Sequence, residues 1–336
     1  MRTRTLGRTR VPVTGLGFGA AAIGNLYTPV GDDEAHAALA AAWDAGVRYF
    51  DTAPHYGVGL SERRVGAFLR TRPPGSYTLS TKVGRILEPA ARAGAADDSA
   101  AGFATPAAHR RVWDFSAAGV RRSLEDSLER LGLDRIDVVC LHDPDDHARQ
   151  AFGEAYPELE RMRAEGLVGA IGAGMNQAAM LTRFVRDTDV DVVLCAGRYS
   201  LLDQRALPAL LPAAAERGVS VVVGGVFNSG LLADPGPGAT FDYALAPADA
   251  VERALAWQDL ARRHGITLRA AALAFPYGHE AVTGVLVGTR SAAEVADTVR
   301  QFTAPVPAAF WQEARAAHLL PAAVPTPTPP GEERPA

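Results

Sequence analysis

Short apolar runs rich in Val, Ile and Leu recur along the chain, and each is followed by a stretch whose apolar positions repeat at helical spacing. The runs fall at 14–19, 47–51, 77–83, 136–142, 168–173, 190–196, 219–225 and 284–288. The helical stretches fall at 32–45, 61–70, 116–131, 149–165, 177–186, 204–217, 249–264 and 291–301. Strands this continuously apolar are expected where both faces are covered, as in a parallel sheet flanked by helices. Eight such units favour a closed α/β barrel, the (β/α)8 or TIM architecture, over an open sheet. Ser61 before Glu62 and Ser116 before a long amphipathic run read as helix starts, and Gly166 and Gly218 as helix stops. Arg2 to Pro12, with Gly7 near its middle, has the alternation of an N-terminal β-hairpin.

Two insertions break the alternation, and both leave the carboxyl-terminal face of the predicted barrel. The first, 84–114, is rich in Ala, Gly and Arg, and offers Phe103 and Trp113 as an apolar wall. The second, 232–247, contains Asp234-Pro235-Gly236-Pro237-Gly238. The reading divides the chain into a barrel over 1–302 and a C-terminal extension over 303–336. From about 321 that extension is so proline-rich that a disordered terminus is expected.

Composition narrows the function. A chain of 336 residues with 48% hydrophobic and 21% charged residues can bury a sizeable core. A net charge of −4 provides no basic field, so nucleic acid is not expected as a partner. No apolar run reaches the roughly 18 residues of a membrane span, and Met1-Arg2-Thr3-Arg4 leads into no secretory apolar region. Cys140 and Cys195 lie inside apolar runs without metal or redox spacing, as expected of reduced core residues in a cytoplasmic protein.

The candidate chemistry lies at strand ends. Tyr49-Phe50-Asp51-Thr52-Ala53-Pro54-His55-Tyr56-Gly57 is a strand opening into a loop, with Asp51 at its end and Tyr56 beyond. Lys82 ends Thr78-Leu79-Ser80-Thr81-Lys82-Val83, and His142 ends the run begun by Ile136. Taken singly, each could be a loop acid, a paired lysine or a core histidine. Together, at the ends of barrel strands where the active-site loops arise, they form an acid/base set. A tyrosine with a reference pKa near 10 needs a cation to exchange protons at neutral pH. A lysine about 4 Å away, at an effective dielectric near 20, is worth roughly 4 kcal/mol, or about three pKa units. Lys82 is thus expected to bring Tyr56 toward neutrality, and His55 to line the pocket. The run His142-Asp143-Pro144-Asp145-Asp146-His147 carries metal-ligating residue types, but no second histidine ends another strand. It reads as a loop and helix start, and no metal is expected.

The Asp-Thr-Ala-Pro-His-Tyr-Gly spacing, with the later Thr-Lys and Leu-His-Asp, resembles the aldo-keto reductase superfamily, in which these four residue types form a catalytic tetrad. Val112-Trp113-Asp114-Phe115-Ser116, the His142–His147 segment and Ala196-Gly197-Arg198-Tyr199-Ser200 are similar to its sugar dehydrogenase branch. That branch includes L-fucose and D-threo-aldose 1-dehydrogenases and a pyridoxal 4-dehydrogenase. The resemblance spans about 5–302 and implies Asp51, Tyr56, Lys82 and His142 as catalytic residues. It implies His55, Trp113 and His142 as substrate contacts.

No Gly-x-Gly-x-x-Gly motif follows a strand here, and it is the resemblance that implies a nicotinamide dinucleotide across the carboxyl face, held by the later loops. The implied contacts are Gly19, Asp51, Asn176, Phe227, Asn228, Ser229, Gly230, Leu231, Gly288, Thr289, Arg290 and Glu294. Gly224 and Ala196 depart from the tyrosine and glutamine that many members carry. Glu294 falls where NADP-preferring relatives have an arginine. A carboxylate there repels a 2′-phosphate, so NAD is expected over NADP, although Arg290 is close by. The expected reaction is oxidation of an aldose at C1 to its lactone. The alternatives are pyridoxal oxidation, NADPH-dependent reduction of aldehydes and ketones, a nucleotide-sensing subunit, or a phosphate-handling barrel lyase or isomerase.

Overall fold

The computed structural model describes residues 1–90 and 98–328. Strands β1 (Thr3–Thr5) and β2 (Pro12–Thr14) form the expected antiparallel hairpin. Then come β3 (Leu16–Gly19), α1 (Asp32–Asp44), β4 (Tyr49–Asp51), α2 (Leu60–Leu69) and β5 (Thr78–Val83). The first insertion supplies β6 (Arg85–Pro89) and β7 (His109–Trp113), and α3 (Ala117–Leu131) and β8 (Val138–His142) follow. The next helix runs as α4 (Ala148–Gln150), a π turn (Ala151–Ala155) and α5 (Tyr156–Ala164). It leads to β9 (Ala170–Met175), α6 (Ala178–Asp187), β10 (Val192–Ala196), α7 (Leu210–Arg217) and β11 (Ser220–Gly224). The second insertion carries the short strands β12 (Thr240–Phe241) and β13 (Ala244–Leu245). The chain then forms α8 (Ala248–Arg263), α9 (Leu268–Ala274), β14 (Val282–Gly288), α10 (Ala292–Thr303) and α11 (Ala308–Ala316).

Eight parallel strands close the barrel in the order β10, β11, β14, β3, β4, β5, β8, β9. Inside it, Tyr49, Val138, Cys140, Ala170, Val192, Val222 and Leu286 pack with Leu6 of the hairpin, which is fully buried. Gly7 N–H donates to Ser220 Oγ at 2.7 Å, fixing the hairpin across the amino-terminal end. That end is therefore plugged, and chemistry is left to the carboxyl face. Both cysteines are buried free thiols. Ser116 caps α3 by accepting from Gly119 N–H at 3.0 Å, and Gly166 and Gly218 take the left-handed conformation that ends a helix.

Several expectations are corrected. Ser61 is not a helix cap: it lies inside α2, buried, and its hydroxyl donates to Ala20 O at 2.8 Å. The helix expected over 204–217 is confined to α7, since Ala206–Leu207 form turns ahead of Pro208. The C-terminal extension packs on the barrel through α11. Phe310 and Trp311 of α11 are buried beside Trp257 of α8 and Phe275. The tail is ordered through residue 328, because Leu320 and Val324 bury their side chains. Arg315 Nη2 holds it by donating to Val324 O and Thr326 Oγ1, both at 3.0 Å. Residues 329–336, and 91–97 of the first insertion, lie outside the described residues.

Candidate active site

Strands β4, β5 and β8 are neighbours in the barrel, so the polar residues at their carboxyl ends meet. Lys82 Nζ is buried and donates to Asp51 Oδ2 at 2.7 Å and to Thr52 O at 3.0 Å. Asp51 is held on its other side by Ser80 Oγ, which donates to Oδ1 at 2.7 Å. The lysine nitrogen also lies 4.7 Å from the centre of the Tyr56 ring. The His142 ring stands edge-on to Tyr56 at 5.9 Å and to His55 at 5.6 Å, and Phe103 closes the group 5.2 Å from His55. All four predicted acid/base residues are thus brought together, with His55 against them.

The electrostatics correct one expectation. Tyr56 is not brought toward neutrality: burial pushes its hydroxyl up to about 12, against the opposing pull of Lys82. The Asp51 carboxylate, paired with Lys82, adds a smaller push in the same direction. Lys82 is raised above its ordinary value, since Asp51 and Tyr56 outweigh the cost of burial. Tyr56 is therefore a phenol at neutral pH. Burial, followed by the Arg85 and Lys82 charges, holds His142 well below its ordinary value, and His55 falls to about 2 for the same first cause. His142 is thus a neutral imidazole. Its Nδ1 is buried without a hydrogen-bond partner, which fits the tautomer carrying the proton on Nε2, because an unpaired acceptor costs less than a stranded N–H.

Beside Tyr56 a cleft of about 820 Å³ runs across the carboxyl face. It is bordered by Gly19, Asp51, Asn176, Phe227, Asn228, Ser229, Gly230, Gly288, Thr289, Arg290 and Glu294. Leu231 is the exception among the expected contacts: it is fully buried in the core, where its neighbours Leu232 and Val226 also pack. Trp113 does not border this cleft. Its ring is half exposed beside Phe115 and His147, and the Arg85 guanidinium sits 4.3 Å from its centre. A second depression of about 640 Å³, near Gly7, Ser220 and Thr283, lies at the plugged end, far from these groups.

A match to the Aldo/keto reductase family covers residues 15–318. The chain belongs to the aldo/keto reductase family. It is 45% identical over 313 residues to a D-threo-aldose 1-dehydrogenase from a Pseudomonas species, covering 92% of this chain and 95% of the relative. It is 40% identical over 334 residues to a pyridoxal 4-dehydrogenase from Microbacterium luteolum, covering 94% and 97%. The fold resembles the aldo-keto reductase AKR11C1 from Bacillus halodurans in its holo form, with a TM-score of 0.75, 26% identity and coverage of 96% and 98%.

This aldo-keto reductase is therefore an oxidoreductase of a family that uses nicotinamide cofactors. Its cleft fits such a group. Asn228 Oδ1 and Thr289 Oγ1 are buried polar atoms without partners, both belonging to cleft-bordering residues. Gly224 leaves an open floor, where even a Cβ would find its nearest atom 3.5 Å away. Ser291 Oγ accepts from Glu294 N–H at 3.2 Å and so caps α10, whose amino terminus faces the cleft.

Two cleft residues carried no signal in the sequence. Tyr243 sits at the tip of the β12–β13 hairpin, where Asp242 and Tyr243 both have positive φ. Its N–H donates to Ser229 Oγ at 3.1 Å, and it borders the cleft with Asn176. Tyr27, from the loop after β3, borders the same cleft. Among the described residues no group of three or more His, Cys, Asp and Glu could hold a metal ion. None of the helices there is long and apolar enough to cross a membrane.

Proposed function

We propose that this enzyme oxidises an aldose at C1 to the lactone with NAD, with Tyr56, Lys82, Asp51 and His142 as its catalytic residues. The observation that carries the reading is the convergence of a buried lysine and a neutral histidine on Tyr56, a phenol that borders the cleft, in a chain so similar to a D-threo-aldose 1-dehydrogenase. The three exposed aromatic side chains among the described residues, Tyr27, Trp113 and Tyr243, all stand on carboxyl-face loops. Such a rim suits the apolar faces of a sugar ring.

When bound along the cleft, the nicotinamide supplies the hydride-accepting carbon. The residues of the chain handle the proton and the reacting oxygen. His142 Nε2–H donates to the anomeric oxygen and holds it over Tyr56. The Tyr56 phenolate takes the proton of that oxygen, and the charge of Lys82 Nζ stabilises the phenolate. Asp51 keeps the lysine charged and aimed. In the reverse direction the Tyr56 phenol protonates the carbonyl oxygen as it becomes an alkoxide.

The position of Tyr56 at about 12 fixes a pH signature. Oxidation needs the phenolate, whose fraction grows about tenfold per pH unit below the pKa. Reduction needs the phenol, which is nearly complete over the same range. The expected result is that log kcat/KM for sugar oxidation climbs with a slope near one from about pH 7 to about pH 10, while aldehyde reduction stays flat. A flat oxidation profile removes Tyr56 as the base. The abundance of phenol at neutral pH is also the one observation favouring a second reading, net reduction of aldehydes.

Cofactor choice rests on Glu294. Its carboxylate accepts from Arg290 N–H at 2.8 Å and from Arg290 Nη2 at 2.9 Å, so the nearby guanidinium is already paired. A 2′-phosphate meets a carboxylate and a neutralised arginine, whereas ribose hydroxyls can donate to that carboxylate. Glu294→Gln is expected to raise affinity for NADP about tenfold relative to NAD, read by fluorescence titration of both nucleotides. An unchanged ratio removes Glu294 as the discriminator.

The deciding assay follows nicotinamide reduction with L-fucose, D-arabinose, L-galactose, pyridoxal and simple alcohols. Sugar-dependent turnover with NAD supports the proposal. Silence in oxidation with NADPH-dependent aldehyde consumption replaces it by the reductase.

A further inference from the structure

One charged pair beside the proposed reacting atoms has no part in that mechanism. Arg85, the first residue of β6, lies almost wholly buried and ion-pairs with Asp143 Oδ2. Asp143 is the residue after His142. Its φ is 43°, in the left-handed region that non-glycine residues seldom adopt. Its N–H donates to Gly174 O at 3.1 Å, which fixes the turn.

This turn carries the carboxylate back over the strand end, leaving Oδ2 3.6 Å from His142 Nε2. That nitrogen is the atom assigned to the reacting oxygen, so a group on the next carbon of a substrate falls within reach of Asp143. Arg85 occupies one side of the carboxylate, while 31% of the Asp143 side chain remains open. A carboxylate has about four acceptor sites, and Arg85 leaves some of them free. Backbone strain of this kind persists where surrounding structure holds a side chain for a purpose.

We propose that Asp143, positioned by Arg85, is a specificity residue that accepts a hydrogen bond from a substrate hydroxyl on the carbon next to the reacting one. This deepens the aldose reading and rests on it. The pair is neutral overall, so it suits an uncharged polyhydroxylated substrate. A site built to receive a hydroxyl disfavours the analogue lacking it, because the carboxylate then gives up water without gaining that hydrogen bond.

The test compares glyceraldehyde, which has the adjacent hydroxyl, with propanal, which lacks it, both in the reductive direction. The wild-type enzyme is expected to favour glyceraldehyde in kcat/KM by about tenfold or more. Asp143→Asn, which tolerates the left-handed backbone, and Asp143→Gly, which removes the acceptor, are expected to lower that ratio, the glycine variant to near one. The change should appear as a raised KM for glyceraldehyde, with thermal melting to confirm that each variant folds. No discrimination in the wild type, or an equal loss on both aldehydes in both variants, overturns the proposal. If sugars are not oxidised but the glyceraldehyde preference and its loss are seen, the aldose reading fails and this one stands. If sugars are oxidised and the ratio is unmoved, the reverse holds.

Discussion

Tyr56→Phe is expected to lower kcat by about 1,000-fold, the loss typical when a positioned acid/base is removed, while binding of NAD is retained. The change deletes one oxygen and leaves the ring. That ring keeps its packing against Phe103, at 6.2 Å, and against His142, at 5.9 Å, so neither fold nor pocket shape depends on the hydroxyl. The Lys82–Asp51 pair survives as well, because the lysine still has the Asp51 and Thr52 oxygens. The loss is therefore confined to the proton transfer, and it should be of similar size in both directions, since the same oxygen gives and takes the proton. Initial rates of sugar oxidation and aldehyde reduction, beside a fluorescence titration with NAD, check this. Activity within a few fold of wild type would leave Tyr56 a wall residue and end the proposed mechanism.

The parts of this architecture legible in the sequence are those set by burial on both faces. Thr78–Val83, Val138–His142 and Ser220–Gly224 are buried throughout, and their apolar runs announced them within a residue or two. The strand ends carried Asp51, Lys82 and His142 because a charged residue there stands out against such runs. What stayed hidden depends on long-range pairing. The β6–β7 hairpin sets Arg85 against Trp113 and Pro89 against His109, across too many residues for any local turn signal to fix the pairing. Tyr243 is turned into the cleft by an Asp-Tyr pair with positive φ, where glycine or asparagine is the usual mark. The proline-rich tail misled because composition does not register single anchors such as Val324. The tyrosine was misjudged for a related reason: the field of Lys82 can be guessed from residue types, but the burial of Tyr56 and the pairing of Lys82 to Asp51 appear only when the strands are assembled.

That pairing carries the second large effect. Lys82→Met should abolish measurable turnover and also destabilise the barrel, for separable reasons. Methionine fills most of the same buried volume, so the packing penalty is small. The loss of charge strands Asp51, which is 4% exposed and keeps only the Ser80 hydroxyl among its present side-chain donors. Breaking a buried pair on one side typically costs about 3–5 kcal/mol. The double variant Asp51→Asn/Lys82→Met removes both charges and is expected to recover most of that stability, because an amide in this position is cheaper to bury than an unpaired carboxylate. It should recover none of the activity, since Tyr56 is then left buried without the lysine cation that opposes its rise. Chemical denaturation and initial rates on the wild type, both single variants and the double variant form a complete cycle. A Lys82→Met protein as stable as wild type would show that Asp51 is not held as an ion in the fold. A double variant that regains turnover would show that the lysine serves only to neutralise the aspartate, and would remove it from the proton-handling step.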